Sequence, residues 1–424
     1  MALDRLGSNA IADLAVSAAD IAAGTITTAQ IANDAITTAK IADTVNLGRR
    51  NIIINGAFNI AQRGTSSTTG LYQTVDRWKL NYGGGGTLTQ SQHTLSSSDT
   101  PYTLGFRKSY HATVTSASNA AGTFSQLEQH IEAQNIARSG WNYTDPNSKL
   151  TLSYWVKSSL AGTYYSQFRT VDGTSYYYNK AFTLAANTWT KVTCTVPGNS
   201  NLQIDDNTDH GFTVVICPDY GTTYTGHSEA VTDAWYTRTQ TAGYFPNFAQ
   251  DWSNTAGATF EITGVQLEVG DTATPFEHLT SSEDLAICQR YFYNPMSGGN
   301  GQAAQTNLTA NVNFGTVVAG TNVGHFAFHV PFPVTMRTIP TLTHNISNSN
   351  FSGGSAPSGS QVEFYYQNQG YTDQAGNGNL NTLARHAHSN SGCMVGTYYI
   401  SPSTVRHDQF IIGASLQFHF SADI

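Results

Sequence analysis

Residues 149–159 read KLTLSYWVKSS, and this stretch decides the fold class. Apolar side chains occupy every second position, at Leu150, Leu152, Tyr154 and Val156. The intervening positions are mostly polar. Because successive side chains of a strand point to opposite faces, the alternation predicts an antiparallel strand with one buried and one exposed face.

The same period of two recurs through residues 49–280. It is visible at Val192, Cys194 and Val196, and again at Phe212, Val214 and Ile216. In ATFEITGVQLEVG, residues 258–270, the apolar phase shifts across Gly264, which predicts a β-bulge there. Short strands separated by Gly, Asn and Asp turns predict an all-β jelly roll or sandwich over residues 49–280.

The N-terminal residues 1–48 carry a ten-residue repeat. Its apolar positions are Ile11, Ile21, Ile26, Ile31, Ile36 and Ile41. Each copy has one short helical turn and too few apolar side chains for a core of its own, so we expect these isoleucines to pack around a trimer axis. A flexible Ala/Thr-rich linker is the alternative interpretation.

The sequence of residues 281–424 predicts a second β domain. SSEDLAICQRYFYNP, residues 281–295, favours a short helical connector capped by Ser281 or Ser282, with Glu283 and Asp284 in its first turn. Alternating strands and long polar, Gly-rich loops at about residues 345–382 follow. This region is predicted to be a C-terminal β-sandwich tip.

Composition excludes several classes of function. Lys+Arg 20 against Asp+Glu 28 argues against a nucleic-acid partner, and the sequence has no apolar run of the roughly 20 residues that a membrane span requires. Charged residues make up only 11% of the chain, so hydroxyls and amides are expected to dominate the surface. Those groups suit sugar hydroxyls. The four cysteines are far apart and form no CxxC pair, and we interpret them as buried hydrophobes.

Candidate catalytic and metal sites are weak. Asp205, Asp206 and Asp209 form the densest acidic cluster, which is typical of a turn; a calcium loop is the alternative. His386 and His388 could share a face and bind a metal at a trimer axis, but exposed loop histidines are the simpler interpretation. We expect no catalytic residue, no metal and no cofactor, and therefore not an enzyme.

Several ordered motifs resemble a recurrent module of bacteriophage tail fibre proteins. They are NLGRRNIIINGAFNIAQRGTS at 46–66, TVDRWKL at 74–80, LSYWVKSS at 152–159, WTKVTCTVPG at 189–198 and FEITGVQLEVGDTATPFEH at 260–278. The decapeptides are similar to the N-terminal repeats of phage head and tail fibres. FPVTMRTIPTLT at 332–343 and FHFSADI at 418–424 resemble a C-terminal sandwich of tail fibres. The resemblance implies a jelly roll like a carbohydrate-binding module, arranged around a trimer axis.

Together these patterns predict a phage tail fibre that binds host surface polysaccharide without cleaving it. We expect a homotrimer, made in the host cytoplasm, whose N-terminus joins other tail or baseplate proteins of the virion. Receptor binding is predicted at the distal residues Tyr365, Tyr366, Tyr371 and Asn377. A structural head-fibre or collar protein and a glycan-cleaving tailspike are the alternatives.

The tyrosines of the first β domain are assigned differently. Tyr164, Tyr165 and the run Tyr176 to Tyr178 could contact sugars, but alternating tyrosines also fill sandwich cores, and the core assignment is favoured for each of them.

Overall fold

The computed structural model describes residues 49–295, 324–344, 364–368, 371–373, 384–399, 411–412 and 418–424. Arg49–Ile424 forms one compact unit, separate from Met1–Gly48. The predicted stalk and its six isoleucines lie outside the described residues, so the stalk and its trimeric packing remain predictions.

Residues 49–280 form two six-stranded antiparallel sheets. Sheet 1 contains, in spatial order, β1 (Ser66–Ser67), β3 (Thr87–Thr94), β4 (Lys108–Ser116), β12 (Thr259–Val269), β6 (Lys149–Ser158) and β9 (Thr190–Pro197). Sheet 2 contains β11 (Trp235–Thr237), β8 (Tyr176–Leu184), β7 (Gly162–Thr170), β10 (His210–Tyr220), β5 (Phe124–Glu132) and β2 (Lys79–Gly83). A short helix, α1 (Ala133–Ala137), follows β5. The predicted all-β sandwich is confirmed.

The main hydrophobic core contains residues from both sheets. Leu150, Leu152, Tyr154 and Val156 of β6 are fully buried in it, as the alternation predicted. The predicted apolar positions of β9 and β10 are buried there too. Burying a side chain of this size stabilises the fold by about 1.5–3 kcal/mol relative to exposure.

The second face of β6 differs from the prediction. Thr151 and Ser153 are buried instead of exposed, and Trp155 is half-buried. Trp155 packs on a small cluster that includes Phe106, from residues distant in sequence. Alternation reports which side chains are polar, and it cannot show that another segment covers the polar face.

The bulge predicted at Gly264 is confirmed. The register between β12 and β6 shifts between Thr263 and Gln266, and Gly264 has φ of +66°. A Cβ at this position would lie 2.6 Å from the ring of Phe106. Both the left-handed backbone and the close approach require glycine here.

A helix opens the C-terminal region, as predicted. It is α2 (Ser281–Gln289), and Glu283 and Asp284 lie in its first turn. Its cap is Thr280 rather than Ser281 or Ser282: the Thr280 hydroxyl accepts the Glu283 N–H, and the Glu283 carboxylate accepts the Thr280 N–H. The cap therefore lies one residue earlier, where the Glu three positions later completes the capping box.

The described residues after α2 form three small antiparallel sheets. The first contains β13 (Phe292–Tyr293), β21 (Phe418–Ser421) and β15 (Thr341–His344); the second contains β14 (Gly324–Pro331), β19 (Gly392–Tyr399) and β18 (Ala384–His388); the third contains β17 (Tyr371–Asp373), β16 (Phe364–Asn368) and β20 (Ile411–Ile412). No helix among the described residues is long and apolar enough to cross a membrane.

Polar contacts hold the C-terminal residues against the jelly roll. The Arg290 guanidinium donates from Nε and Nη2 to the two oxygens of Glu132, at 2.7 Å each. The Arg337 Nη1 donates to the Thr208 carbonyl at 3.0 Å, and Arg63 pairs with Asp423. Residues from both sides of position 280 thus share one hydrogen-bonded interface.

Candidate functional site

The outer face of sheet 2 carries most of the chemistry among the described residues. Strand alternation that sends one set of side chains into the core sends the other set outward. The outward set is aromatic and polar: Lys79 on β2; Gln126, Glu128 and His130 on β5; Gln167 and Arg169 on β7; Tyr177 and Asn179 on β8; and Tyr236 on β11. Two adjoining groups of side chains lie on this face.

The first group, the charged strip, consists of Lys79, Gln126, Glu128, His130 and Arg169. Lys79 Nζ lies 3.2 Å from Glu128 Oε1, and Arg169 Nη1 lies 3.7 Å from Glu128 Oε2. Gln126 Nε2 donates to Glu128 Oε2 at 2.6 Å, and Arg169 Nη2 donates to Gln126 Oε1 at 2.7 Å. Glu128 is thus surrounded by donors and cations.

These partners decide the protonation state of Glu128. Burial raises the pKa of this carboxyl, but the imidazole of His130 at 3.6 Å and the charges of Arg169 and Lys79 lower it by more. The resulting pKa is about 2. Glu128 is therefore ionised at neutral pH and accepts hydrogen bonds.

The second group, the aromatic cluster, consists of Tyr177, Tyr220, Tyr224, Tyr236 and Tyr244. The Tyr244 ring is at its centre, with ring centroids 5.9 Å from Tyr220, 6.1 Å from Tyr177 and 6.1 Å from Tyr224. Tyr177, Tyr224 and Tyr244 are only half-buried, so part of each ring reaches solvent.

The segment between β10 and β12, residues 221–258, positions part of this cluster. Its Phe245 is fully buried and packs on Tyr165 and Val215 of the sheet, which anchors the segment. Gln167 Nε2 donates to the Tyr244 carbonyl at 2.7 Å and so fixes the backbone beside the Tyr244 ring. The buried contacts of Phe245 and Gln167 therefore hold the Tyr244 ring in place.

Two arginines border the aromatic cluster. The Arg238 guanidinium carbon lies 3.8 Å from the centroid of the Tyr244 ring, and the Arg169 guanidinium carbon lies 5.6 Å from it. Arg169 also belongs to the charged strip, so it joins the two groups. Aromatic faces and guanidinium planes side by side can stack on a sugar ring and hydrogen-bond its hydroxyls. The amide side chains of Gln126, Gln167 and Asn179 are buried beneath them and bonded within the protein.

The jelly-roll tyrosines divide between core and face. Tyr164 and Tyr178 are buried in the main core, as predicted, and Tyr176 packs against it. Tyr165 is also buried, but on the outer side of the sheet, beneath Phe245 and Phe248. Tyr177 is the exception to the core assignment, because it belongs to the aromatic cluster.

The predicted distal residues lie partly in strands. Tyr365 and Tyr366 belong to β16, and Tyr371 begins β17, which pairs with β16 through Tyr366 and Asp373. Their placement in loops was therefore wrong: this part of 345–382 is a hairpin. Aromatic residues have a high strand propensity, and the run Phe364 to Tyr366 formed a strand despite the Gly-rich surroundings. Asn377 lies outside the described residues, and receptor binding at all four remains a prediction.

The acidic cluster is structural in its contacts. Asp206 Oδ1 lies 2.7 Å from Arg138 Nε, and Asp209 Oδ1 lies 3.7 Å from Arg337 Nη1. His386 and His388 lie in β18, whose pairing with β19 is irregular between Arg385 and Ala387. Among the described residues, no three His, Cys, Asp or Glu side chains are grouped to hold a metal ion.

Three of the cysteines are buried, as the sequence indicated. Cys194, Cys217 and Cys288 are free and buried. Burial raises the pKa of the Cys194 thiol to about 11, which keeps it protonated and unreactive at neutral pH.

Sequence reasoning missed Lys79, Arg169, Arg238 and Tyr244. Arg169 and Lys79 had a usable signal, since each alternates with core residues of its strand. Arg238 follows β11 and Tyr244 follows a single helical turn, so neither lies in a strand and no periodicity marks them.

Comparisons with known proteins give remote structural neighbours. The enzymatically active domain of tailspike protein 4 of bacteriophage CBA120 matches with a TM-score of 0.29 and 13% identity, over 52% of this chain and 21% of that one. A carbohydrate-binding module, CBM4, matches with a TM-score of 0.27 and 11% identity, over 51% of this chain and 98% of the module. An apo cyclase from Fischerella sp. matches with a TM-score of 0.30 and 11% identity, over 54% and 98%.

This chain thus spans about a fifth of the tailspike domain that it matches. No family model and no curated protein matches the chain. Phage and carbohydrate-binding proteins are among the neighbours, but at these TM-scores the likeness establishes no shared function.

Proposed function

We propose that this chain is a subunit of a bacteriophage tail fibre that attaches the virion to surface glycans of the host without cleaving them. The observation that carries the proposal is the aromatic cluster beside the charged strip on the outer face of sheet 2. Half-buried rings packed against a β-sheet are held rigidly, so little conformational entropy is lost when a sugar stacks on them.

The binding energy of one such face is modest. Stacking on an aromatic ring contributes about 1–3 kcal/mol per ring, and neutral hydrogen bonds add about 1 kcal/mol each. A trimer carries three copies, and a virion carries several fibres, so multivalency raises the effective affinity without new contacts. The proposed homotrimer, its stalk at residues 1–48 and its attachment to other tail proteins rest on the decapeptide repeat and the resemblance.

The state of Glu128 and Glu229, the carboxylates beside the aromatic cluster, favours binding over cleavage at this face. Glycoside hydrolysis uses two carboxyl groups, one of them protonated to donate to the leaving oxygen. Glu128 has a pKa of about 2 and is bound to cations, which makes it a poor proton donor. Glu229, in the segment of residues 221–258, accepts hydrogen bonds from Thr239 and Gln240. Desolvation raises the pKa of Glu229, but these hydrogen bonds lower it below the ordinary value.

The experiment is adsorption of the full-length fibre to host cells. We expect the double variant Tyr177→Ala and Tyr244→Ala to lose most adsorption, because both rings that border Arg238 are removed. Tyr102→Ala is the matched control: Tyr102 is also half-buried beneath an arginine, Arg107, but lies in the connection between β3 and β4 of sheet 1.

Three outcomes would change the proposal. Full adsorption by the folded double variant would exclude the face on sheet 2, and loss only in the variant with Tyr365, Tyr366 and Tyr371 all replaced by Ala would move the site to the distal hairpin. Release of reducing sugars from host polysaccharide would favour a tailspike. Location of the protein on the phage head or collar, with normal adsorption in its absence, would favour a structural fibre.

A further inference from the structure

We infer that Arg238 makes the face on sheet 2 selective for glycans that carry an anionic group. The inference rests on the proposed glycan-binding function and adds the class of sugar that is bound. It starts from the contacts of the Arg238 guanidinium.

Arg238 has no carboxylate partner among the described ion pairs. Its guanidinium lies over the Tyr244 ring at 3.8 Å, and also 5.6 Å from the Tyr177 centroid. Its protein hydrogen bond runs from Nη1 to the Gln240 carbonyl at 3.3 Å. Most other arginines of the jelly roll pair with carboxylates, as Arg138 does with Asp206 and Arg169 with Glu128. Because Nε is buried and Nη1 donates to Gln240, Arg238 keeps its charge, the two Nη2 hydrogens and the second Nη1 hydrogen for a ligand.

Stacking on tyrosine prepares this arginine for an anion. The ring fixes the guanidinium plane, and a guanidinium on an aromatic face is weakly hydrated and keeps its donor edge free. A planar, fixed fork matches the two oxygens of a carboxylate, or two oxygens of a phosphate, with parallel hydrogen bonds. A neutral sugar hydroxyl would use only part of this geometry.

The nearby acidic side chains do not occupy that role. Glu128 is satisfied by Lys79, Arg169 and Gln126. Glu229 turns toward its own segment, where its oxygens accept from Thr239 and Gln240. Two guanidinium groups, those of Arg169 and Arg238, lie within 5.6 Å of the Tyr244 ring centroid. Cationic groups beside a partly exposed ring favour anionic ligands.

The test begins with the full-length protein on an array of neutral and anionic bacterial surface polysaccharides. Each bound glycan is then prepared in two altered forms. Carbodiimide–borohydride reduction converts uronic and ulosonic carboxylates into neutral alcohols, and mild hydrofluoric acid removes phosphate groups. The two treatments separate the two sources of anionic oxygen.

We expect bound glycans to be anionic and one treatment to weaken binding about tenfold or more, as loss of a charge-assisted bidentate contact should. Arg238→Gln should cause a similar loss on the untreated glycan and little further loss on the treated one. Arg107→Gln is the matched control, since Arg107 also stacks on a tyrosine, at 3.9 Å, and likewise has no carboxylate partner among the described ion pairs. It should bind like the unaltered protein.

Equal binding of treated and untreated glycans, or binding of neutral glycans alone, would overturn the inference and leave the proposed function intact. Binding of no glycan would overturn the proposed function itself. Loss of binding in Arg107→Gln as large as in Arg238→Gln would show a general charge effect and would also overturn the role of Arg238.

Discussion

Replacing Glu132 with glutamine perturbs the interface between the jelly roll and the C-terminal residues. Glu132 is fully buried and accepts two hydrogen bonds from Arg290 at 2.7 Å and one from the Tyr291 hydroxyl at 2.5 Å. Burial raises the pKa of Glu132, but these donors lower it below the ordinary value, so the carboxylate is ionised at neutral pH. Glutamine keeps the shape, but it puts an NH₂ group against a guanidinium.

The expected loss of stability is about 3 kcal/mol. Removing one partner of a buried ion pair costs about 3–5 kcal/mol, and the side chain of Arg290 is 28% exposed, so water can compensate part of the loss. Arg138→Gln is the control. Arg138 Nε also lies 2.7 Å from its carboxylate, Asp206, but the two side chains are 65% and 58% exposed. Water and salt screen such an exposed pair, so Arg138→Gln should leave the stability almost unchanged.

Urea unfolding of the two variants and the unaltered protein, followed by tryptophan fluorescence, measures the difference. Glu132→Gln should shift the midpoint well below that of Arg138→Gln, with an early transition if the C-terminal residues detach first. Equal midpoints in the two variants would refute the reasoning that burial makes the Glu132 contact strong.

Three further predictions concern the bulge, acid stability and assembly. Gly264→Ala should destabilise the fold by about 2–4 kcal/mol, because the backbone is left-handed and the new Cβ would clash with Phe106. Gly257→Ala is the control: Gly257 has φ of +77° but open space around it, so the cost should be only about 1–2 kcal/mol. Thermal unfolding compares the two variants. The pKa of Glu128 is about 2 in the folded protein against an ordinary 4.5, so its ionised form stabilises the fold by about 3 kcal/mol above pH 4.5. This contribution is lost as the pH falls toward 2. In Glu128→Gln the free energy of unfolding should therefore depend less on pH between 4.5 and 2 than in the unaltered protein. Sedimentation should give three times the chain mass of 45.6 kDa, and a monomer mass at micromolar concentration would contradict the trimer. Deletion of residues 1–45 should leave folded protein that binds cells but does not join virions.

Much of the jelly roll could be predicted from the sequence, because its signals are local. Alternation placed Tyr154 and Val156 in the core, and the phase shift across Gly264 located the bulge. Both follow from strand geometry that holds in any sheet. The position of α2 followed in the same way from its acidic first turn.

The candidate site was harder to predict, because it depends on contacts between distant segments. Tyr244 and Arg238 belong to the segment that folds over sheet 2, and only the packing of Phe245 on Tyr165 shows where that segment lies. Burial of Thr151 on the second face of β6 was missed for the same reason. Composition indicated sugar hydroxyls as ligands, but it could not choose a face.

Hydrogen–deuterium exchange of the full chain, with and without a saturating glycan identified on the polysaccharide array, locates the glycan-binding face. We expect slower exchange on glycan binding in β8 and in residues 236–246, with little change in sheet 1. Protection confined to residues 364–399, with β8 and residues 236–246 unchanged, would contradict it.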